Sequence, residues 1–355
     1  MLRENKTIDQ WGSWAVSVIS TCVLVTILTA IGQGQAPSSG TSKVSSNSAF
    51  EHDLSAARQG DTLAQLRVGK AYYFGTNDAN GKGNHSEAFK WFELASRGGS
   101  KEGAAWLGNS YLNGDGVRED KARGATLIRS AADADDPVGL RFLALMYQDG
   151  NGIRRDYSQA FQLLSKAVLL NDPNSYDRLG NLYRNGFGTQ KDPRKAVKLY
   201  AEGARLGDPW AQLQLGEMYY TGATEAEVPK DQAMALRLYE EAASQGNKMA
   251  AFYAGKMYAA GTGVKQDYQK AVEYYLEAAR RRFPAAQLSM GEAAEHGLGT
   301  AVNLFDAYAW YSLAADNGNT KANERLETLA ATFTATEKSE AEARFRELKQ
   351  NIEQD

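Results

Sequence analysis

Apolar and small residues recur at helical spacing along most of the chain, and two landmarks repeat in register. The first is mostly a Leu/Val-Gly-x-x-Tyr motif, with Tyr at positions 72, 111, 147, 183, 219 and 258 and Ala294 in the seventh place. The second is a small residue early in a following helix, at Ala88, Gly124, Ala160, Ala196, Ala235, Ala271 and Ala307. The pattern predicts seven units of 36 or 39 residues, each built from two helices.

The clearest copy, residues 179–211, carries the signals that define a unit. Gly180 lies on the first helix, where a Cβ would push the partner helix away. Gly186 follows the Tyr position by three residues, as expected of a helix C-cap in the left-handed region. Asp192 is placed to cap the second helix. These signals predict a helix, a tight loop and a second, antiparallel helix.

These residues resemble the Sel-1-like repeat, a relative of the tetratricopeptide repeat with a longer loop. The resemblance rests on the LGxxY motif, on the loop motif GxGV (Gly114–Val117, Gly261–Val264), on the capping Asp and on an AAxxG end (Ala242–Gly246). It implies an all-α, right-handed α-solenoid of about seven antiparallel helix-pair repeats with capping helices. Departures from the motif are Ala144, Gly124 and Ala294.

The first residues of the chain predict a membrane anchor. Segment 14–31 has no charged residue and approaches the ~20 residues that a helix needs to cross a membrane. Arg3 and Lys6 precede it and the next basic residue is Lys43, so 1–13 would be a cytoplasmic tail. A cleaved signal peptide is the alternative. We therefore expect a bacterial inner-membrane protein with a single span and periplasmic repeats.

The remaining boundaries follow from composition. Segment 32–48 is rich in Gly and Ser and is expected to be a flexible linker. The solenoid is predicted over 49–331, and a polar, charged capping helix over 332–355.

The charge and the candidate chemistry narrow the function. Lys+Arg number 40 and Asp+Glu 43, which gives no basic footprint for nucleic acid. Cys22 is the only Cys, so the repeats can hold no disulfide, and the three His lie far apart in sequence. Each Gly-x-Gly follows a helix and completes no phosphate-binding motif. We predict no enzyme activity, catalytic residue, metal, cofactor or small-molecule substrate.

The resemblance also suggests where a partner would bind. In the tetratricopeptide geometry the first helices line the concave surface, and ligand-facing positions lie nine, six and two residues before the Tyr position and one after it. The residues predicted on this basis to contact a partner are Arg141, Asp177, Asn181, Arg184, Trp210, Leu213, Glu217, Tyr220, Met249, Phe252 and Lys256. Their types predict an apolar groove over units five and six beside a polar one over units three and four.

An alternative interpretation places Leu213 and Phe252 in the core between repeats. Trp210 carries the strongest expectation of exposure.

The function implied by the resemblance is a membrane-tethered envelope scaffold or adaptor. It would bind other proteins of an envelope complex through its concave surface and reach the membrane through 14–31. A regulatory protein that restrains an envelope sensor or enzyme is the first alternative. A β-lactam-binding, hydrolase-like repeat protein is the second, and it is disfavoured because relatives of that kind hold a disulfide in each repeat.

Overall fold

The computed structural model of the protein describes residues 40–77 and 83–354, and the regular elements of this part of the chain are helices. Helix α1 (Gly40–Arg58) precedes seven helix pairs, units one to seven. The first helices of the pairs are α2 (Thr62–Phe74), α4 (Lys101–Asn113), α6 (Pro137–Asp149), α8 (Pro173–Asn185), α10 (Pro209–Thr221), α12 (Lys248–Ala260) and α14 (Pro284–His296). The second helices are α3 (His85–Arg97), α5 (Lys121–Asp133), α7 (Tyr157–Leu169), α9 (Pro193–Arg205), α11 (Gln232–Ser244), α13 (Tyr268–Arg280) and α15 (Leu304–Asp316).

Helices α16 (Thr320–Ala330) and α17 (Ala335–Gln354) follow the last pair, and a 3₁₀ helix (Thr224–Ala226) lies in the longer loop of unit five. The two helices of each pair pack against each other, and the second helix also packs against the first helix that follows it. The predicted all-α solenoid of helix pairs is confirmed.

The length of the paired helices is set by caps at both ends, and each helix has 13 residues. The side chain of Asp192 accepts the backbone N–H of Lys195 at the start of α9. Gly186 ends α8 in the left-handed region, with a φ of 72°. The other units repeat these two caps with Asp or Asn and with a Gly at positive φ, so the same signals end and start the helices along the array.

The glycine of the first helix makes room for a large side chain of the second. A Cβ on Gly180 would lie 2.5 Å from Cε1 of Tyr200, which is fully buried. The same arrangement places Tyr239 against Gly216. Unit three has Ala144 in place of the glycine, and the smaller Leu164 packs in its cluster. The small residue and its partner therefore fill the space between the two helices together.

The helices at the C-terminal end complete the array. Thr334 and Glu337 cap α17 reciprocally, because the hydroxyl of Thr334 accepts the N–H of Glu337 while the carboxylate accepts the N–H of Thr334. The helix then packs along α15, where Arg344 binds Asp306 at 2.5 Å. This helix therefore covers part of α15, the second helix of the last pair.

At the other end, α1 starts at Gly40, so its first turns fall inside the stretch 32–48 for which composition predicts a flexible linker. The part from Gly40 to Ser48 contains no Pro, and nothing in it interrupts a helix by removing a backbone N–H.

The predicted localisation as a single-pass inner-membrane protein is wrong. Within residues 40–77 and 83–354, no helix is both long and apolar enough to cross a membrane. The paired helices span only about 20 Å, short of the roughly 30 Å hydrocarbon core. The longer α1 and α17 are polar or charged along their length. Segment 14–31, on which the prediction rested, lies outside the described residues.

Candidate protein-binding surface on the first helices

The first helices form one side of the array. Besides its contacts with second helices, α4 contacts α6, and α8 contacts α10. We call the exposed surface of α2, α4, α6, α8, α10, α12 and α14 the A-helix face. The residues predicted to contact a partner all belong to α6, α8, α10 or α12, but the structure buries several of them.

Unit five presents two large aromatic side chains on this face. Trp210 is 44% exposed and Tyr220 is 38% exposed, at opposite ends of α10. Glu217 lies between them and is also exposed. Leu213, in contrast, is buried and belongs to the core between units five and six. Leu213 therefore stabilises the repeats, and the other three side chains are open to a partner.

Unit six continues the aromatic surface. Phe252 is half-buried, and its ring lies 5.3 Å from that of Phe283, at the start of α14. Lys256 places its ammonium 5.8 Å from the Phe252 ring centroid. Met249 is also half-buried and packs against the same core. Phe252 thus joins units six and seven and exposes only part of its ring.

Tyr253, on α12, was not selected from the sequence; it is 37% exposed and contacts Tyr239 of unit five. Its ring centroid is 5.5 Å from that of the buried Tyr239. Burial raises the pKa of the Tyr239 hydroxyl, and the nearby Glu217, Tyr253 and Tyr220 raise it further. Glu217, Tyr220 and Tyr253 therefore lie around Tyr239 and form a patch across units five and six, and Trp210 is exposed at the other end of α10. We call Trp210, Glu217, Tyr220 and Tyr253 the aromatic patch.

The polar residues predicted in units three and four hold the repeats together. Arg141 is buried, and its Nε lies 2.8 Å from Oδ2 of Asp172, which also accepts the Ser175 hydroxyl at 2.6 Å. Asp177 is buried as well, only 4% exposed. Neither Arg141 nor Asp177 offers its charge at the surface.

Asn181 and Arg184 are partly exposed and form contacts between helices. The amide oxygen of Asn181 accepts the hydroxyl of Tyr200 at 2.9 Å. Arg184 donates to Gln214 at 2.8 Å, and its Nη1 lies 3.5 Å from a carboxylate oxygen of Glu217. The guanidinium therefore borders the aromatic patch on the side of unit four.

A second set of aromatic rings, also missed by the sequence analysis, crosses units one to three. The Trp106 ring centroid lies 5.1 Å from that of Tyr73 and 5.0 Å from that of Phe142. Phe74 is 54% exposed beside them, whereas Trp106 and Phe142 are buried. The sequence does contain a signal for these aromatic residues, because Trp106, Phe142 and Tyr253 all lie five residues before the Tyr position of their units.

The fold and this face define an all-α repeat solenoid of helix pairs. The model of the Sel1 repeat matches residues 62–100, 101–136, 137–172, 173–208, 211–247, 248–282 and 284–319. The chain therefore belongs to the Sel1 repeat family, whose fold generally mediates binding between proteins.

The chain is also similar to proteins of known structure. A Sel1 repeat protein from Oxalobacter formigenes is 28% identical, with a TM-score of 0.58 and 81% of each chain covered. The protein c5321 from uropathogenic Escherichia coli, a protective antigen with an SLR fold, is 25% identical, with a TM-score of 0.43 and 85% of this chain and 79% of that chain covered. No curated protein matches the sequence.

Proposed function

We propose that this protein is a non-enzymatic scaffold that binds a partner protein through the aromatic patch on the A-helix face. The observation that carries the proposal is the exposure of Trp210, Tyr220 and Tyr253, which are 44%, 38% and 37% exposed on neighbouring first helices. Large aromatic residues dominate the binding energy of protein interfaces because they bury much area at little cost in side-chain entropy.

The surroundings of the patch also suit a protein partner. The half-buried Met249 and Phe252 extend its apolar surface along α12. Glu217 lies within the patch, and Arg184 and Lys256 at its margins are charged side chains that can form hydrogen bonds with a partner. An apolar centre with a polar rim is the usual anatomy of a protein interface.

A photo-crosslinking amino acid at Tyr220 tests the proposal, with the same amino acid at Leu169 as the matched control. Leu169 is 74% exposed at the end of a second helix and lies outside the A-helix face. After irradiation in cells of the source organism, the adducts are identified by mass spectrometry. We expect a protein adduct from position 220 that position 169 does not form.

The captured protein is then purified and titrated against the wild type and against Trp210→Ala. We expect the variant to bind about 30-fold more weakly, which corresponds to about 2 kcal/mol. The proposal fails if both positions give the same adducts, or if Trp210→Ala binds the purified partner as the wild type does.

A further inference from the structure

Three aspartates are buried where units three, four and five meet. Asp172 is 5% exposed, Asp177 is 4% exposed and Asp208 is 2% exposed. Asp172 and Asp208 precede α8 and α10, and Asp177 lies in the second turn of α8. Three carboxyl groups removed from water require either positive partners or protons, because a buried and unpaired charge is costly.

The three groups have unequal partners. Asp172 binds the buried Arg141 at 2.8 Å and the hydroxyl of Ser175. Asp177 faces Arg178, the next residue of its own helix, whose Nε is 3.7 Å away and whose side chain is 42% exposed. This distance is too long for a strong charge-assisted hydrogen bond.

Asp208 has neutral partners, because its carboxylate accepts the backbone N–H of Trp210 at 3.1 Å and of Ala211 at 3.2 Å. These bonds fix the first turn of α10, which is the turn that presents Trp210. The buried carboxylate is thus connected directly to the exposed side chain of the aromatic patch.

The titratable groups around Asp177 and Asp208 lie on or next to four helices. Asp177 is surrounded by Arg178 on α8, Asp208 before α10, Arg141 on α6 and the Tyr200 hydroxyl on α9. Asp208 is influenced by Arg178 and Asp172. Two arginines therefore face three carboxylates, and one arginine is already bound to Asp172.

Burial has the largest effect on the pKa values of Asp177 and Asp208. It raises the pKa of Asp177 to about 7, with Arg178 opposing the shift and Asp208 adding to it. Burial also raises the pKa of Asp208 to about 6, although the N–H groups of Trp210 and Ala211 oppose this shift. Both carboxyl groups therefore take up protons between neutral and mildly acidic pH.

We infer that the junction of units four and five is a pH-responsive joint that controls how firmly α10 presents Trp210 to a partner. In acid, Asp177 is protonated and the repulsion between Asp177 and Asp208 is removed, so α8 and α10 pack firmly. At alkaline pH both carboxylates are ionised, and their repulsion loosens the start of α10. The effect on partner affinity rests on the proposed function, whereas the effect on the joint does not.

The direction of the stability change follows from linkage. A carboxyl whose pKa is higher in the folded protein than in the unfolded chain binds more protons when folded. The stability that this carboxyl contributes is fully present below the ordinary aspartate pKa. It is lost as the pH rises through the pKa of the group in the folded protein. The joint therefore weakens as the pH rises from about 4, and little of this proton-dependent stability is left by about pH 8. A surface carboxylate with a lowered pKa, such as Asp53, titrates below this pH range.

The test compares the wild type with Asp177→Asn, which is neutral at every pH, and with a control change at the exposed Asp149, Asp149→Asn. Thermal unfolding and amide exchange of the 208–216 segment, corrected for intrinsic rates, are measured at about pH 5.5 and about pH 8 without a partner. We expect the wild type and Asp149→Asn to lose several degrees in Tm and about tenfold in protection at the higher pH. Asp177→Asn should lose much less of both.

Parallel pH profiles for Asp177→Asn and the wild type would overturn the inference. These measurements need no partner, so a failure of the proposed function leaves their outcome interpretable. Once a partner is purified, the ratio of its Kd at the two pH values should be larger for the wild type than for Asp177→Asn. Equal ratios would contradict the inference that the joint controls how α10 presents Trp210 to a partner.

Discussion

The backbone carbonyl of Tyr157 occupies the space in which a side chain at Gly188 would begin. A Cβ on Gly188 would lie 2.1 Å from that oxygen, and the backbone of Gly188 has a φ of 69°. Tyr157 is the first residue of α7 in unit three, and Gly188 lies in the loop of unit four. The second glycine of the Gly-x-Gly loop therefore allows one unit to contact the helix start of the unit before it.

Gly188→Ala is expected to destabilise the protein by about 2–4 kcal/mol, because the new methyl group both strains the backbone and clashes with the carbonyl. Gly207→Ala is the control, since Gly207 has a φ of 86° but no atom within 4 Å of the added Cβ. It should cost only about 1 kcal/mol. Urea unfolding of the two variants measures the difference, and equal losses would show that the contact with Tyr157 contributes nothing.

The pairing of Gly180 with Tyr200 predicts a compensating double change. Gly180→Ala alone should cost about 1–3 kcal/mol, because the methyl group would overlap the Tyr200 ring. Unit three already combines Ala144 with Leu164 in its core. Gly180→Ala with Tyr200→Leu should therefore be more stable than the sum of the two single changes indicates. Strict additivity in a double-mutant cycle would contradict this packing.

The fold could be predicted because its determinants are local and recur. Gly186 and Asp192 mark a helix end and a helix start within a few residues of each other, and the same marks return in register. The contact between Gly188 and Tyr157 could not be predicted in this way. It joins two units whose separation in space depends on how the whole array stacks, and the loop sequence indicates only a tight turn.

The exposure of single side chains on the A-helix face was less predictable, because one set of positions was applied to every unit. The position six residues before Tyr holds Arg141, Asp177 and Leu213, and all three are buried between neighbouring helices. The position five residues before Tyr was omitted, although it carries the exposed Tyr253. Small differences in the rotation of each helix decide which of two adjacent positions faces solvent, and spacing alone does not contain this information.

The buried pair of Arg141 and Asp172 predicts a large loss when one partner is removed. Arg141→Met should cost about 3–5 kcal/mol, because Asp172 would remain buried without its guanidinium. Arg141→Met with Asp172→Asn should recover part of this loss, since no charge is then left unpaired. For comparison, Arg67→Met breaks the exposed pair with Asp53 and should cost about 1 kcal/mol or less. Equal losses for Arg141→Met and Arg67→Met in thermal unfolding would contradict the prediction.

Trp210 and Leu213 lie three residues apart on α10 and should respond to truncation in opposite ways. Leu213→Ala is expected to lower stability by about 2–5 kcal/mol, because Leu213 is 3% exposed within the core of units five and six. Trp210→Ala should leave helicity unchanged and cost about 1 kcal/mol or less, since nearly half of the residue is exposed to solvent. Circular dichroism and thermal unfolding distinguish the two residues. A sharp fall in Tm for Trp210→Ala would identify Trp210 as a packing residue and remove it from the proposed binding surface.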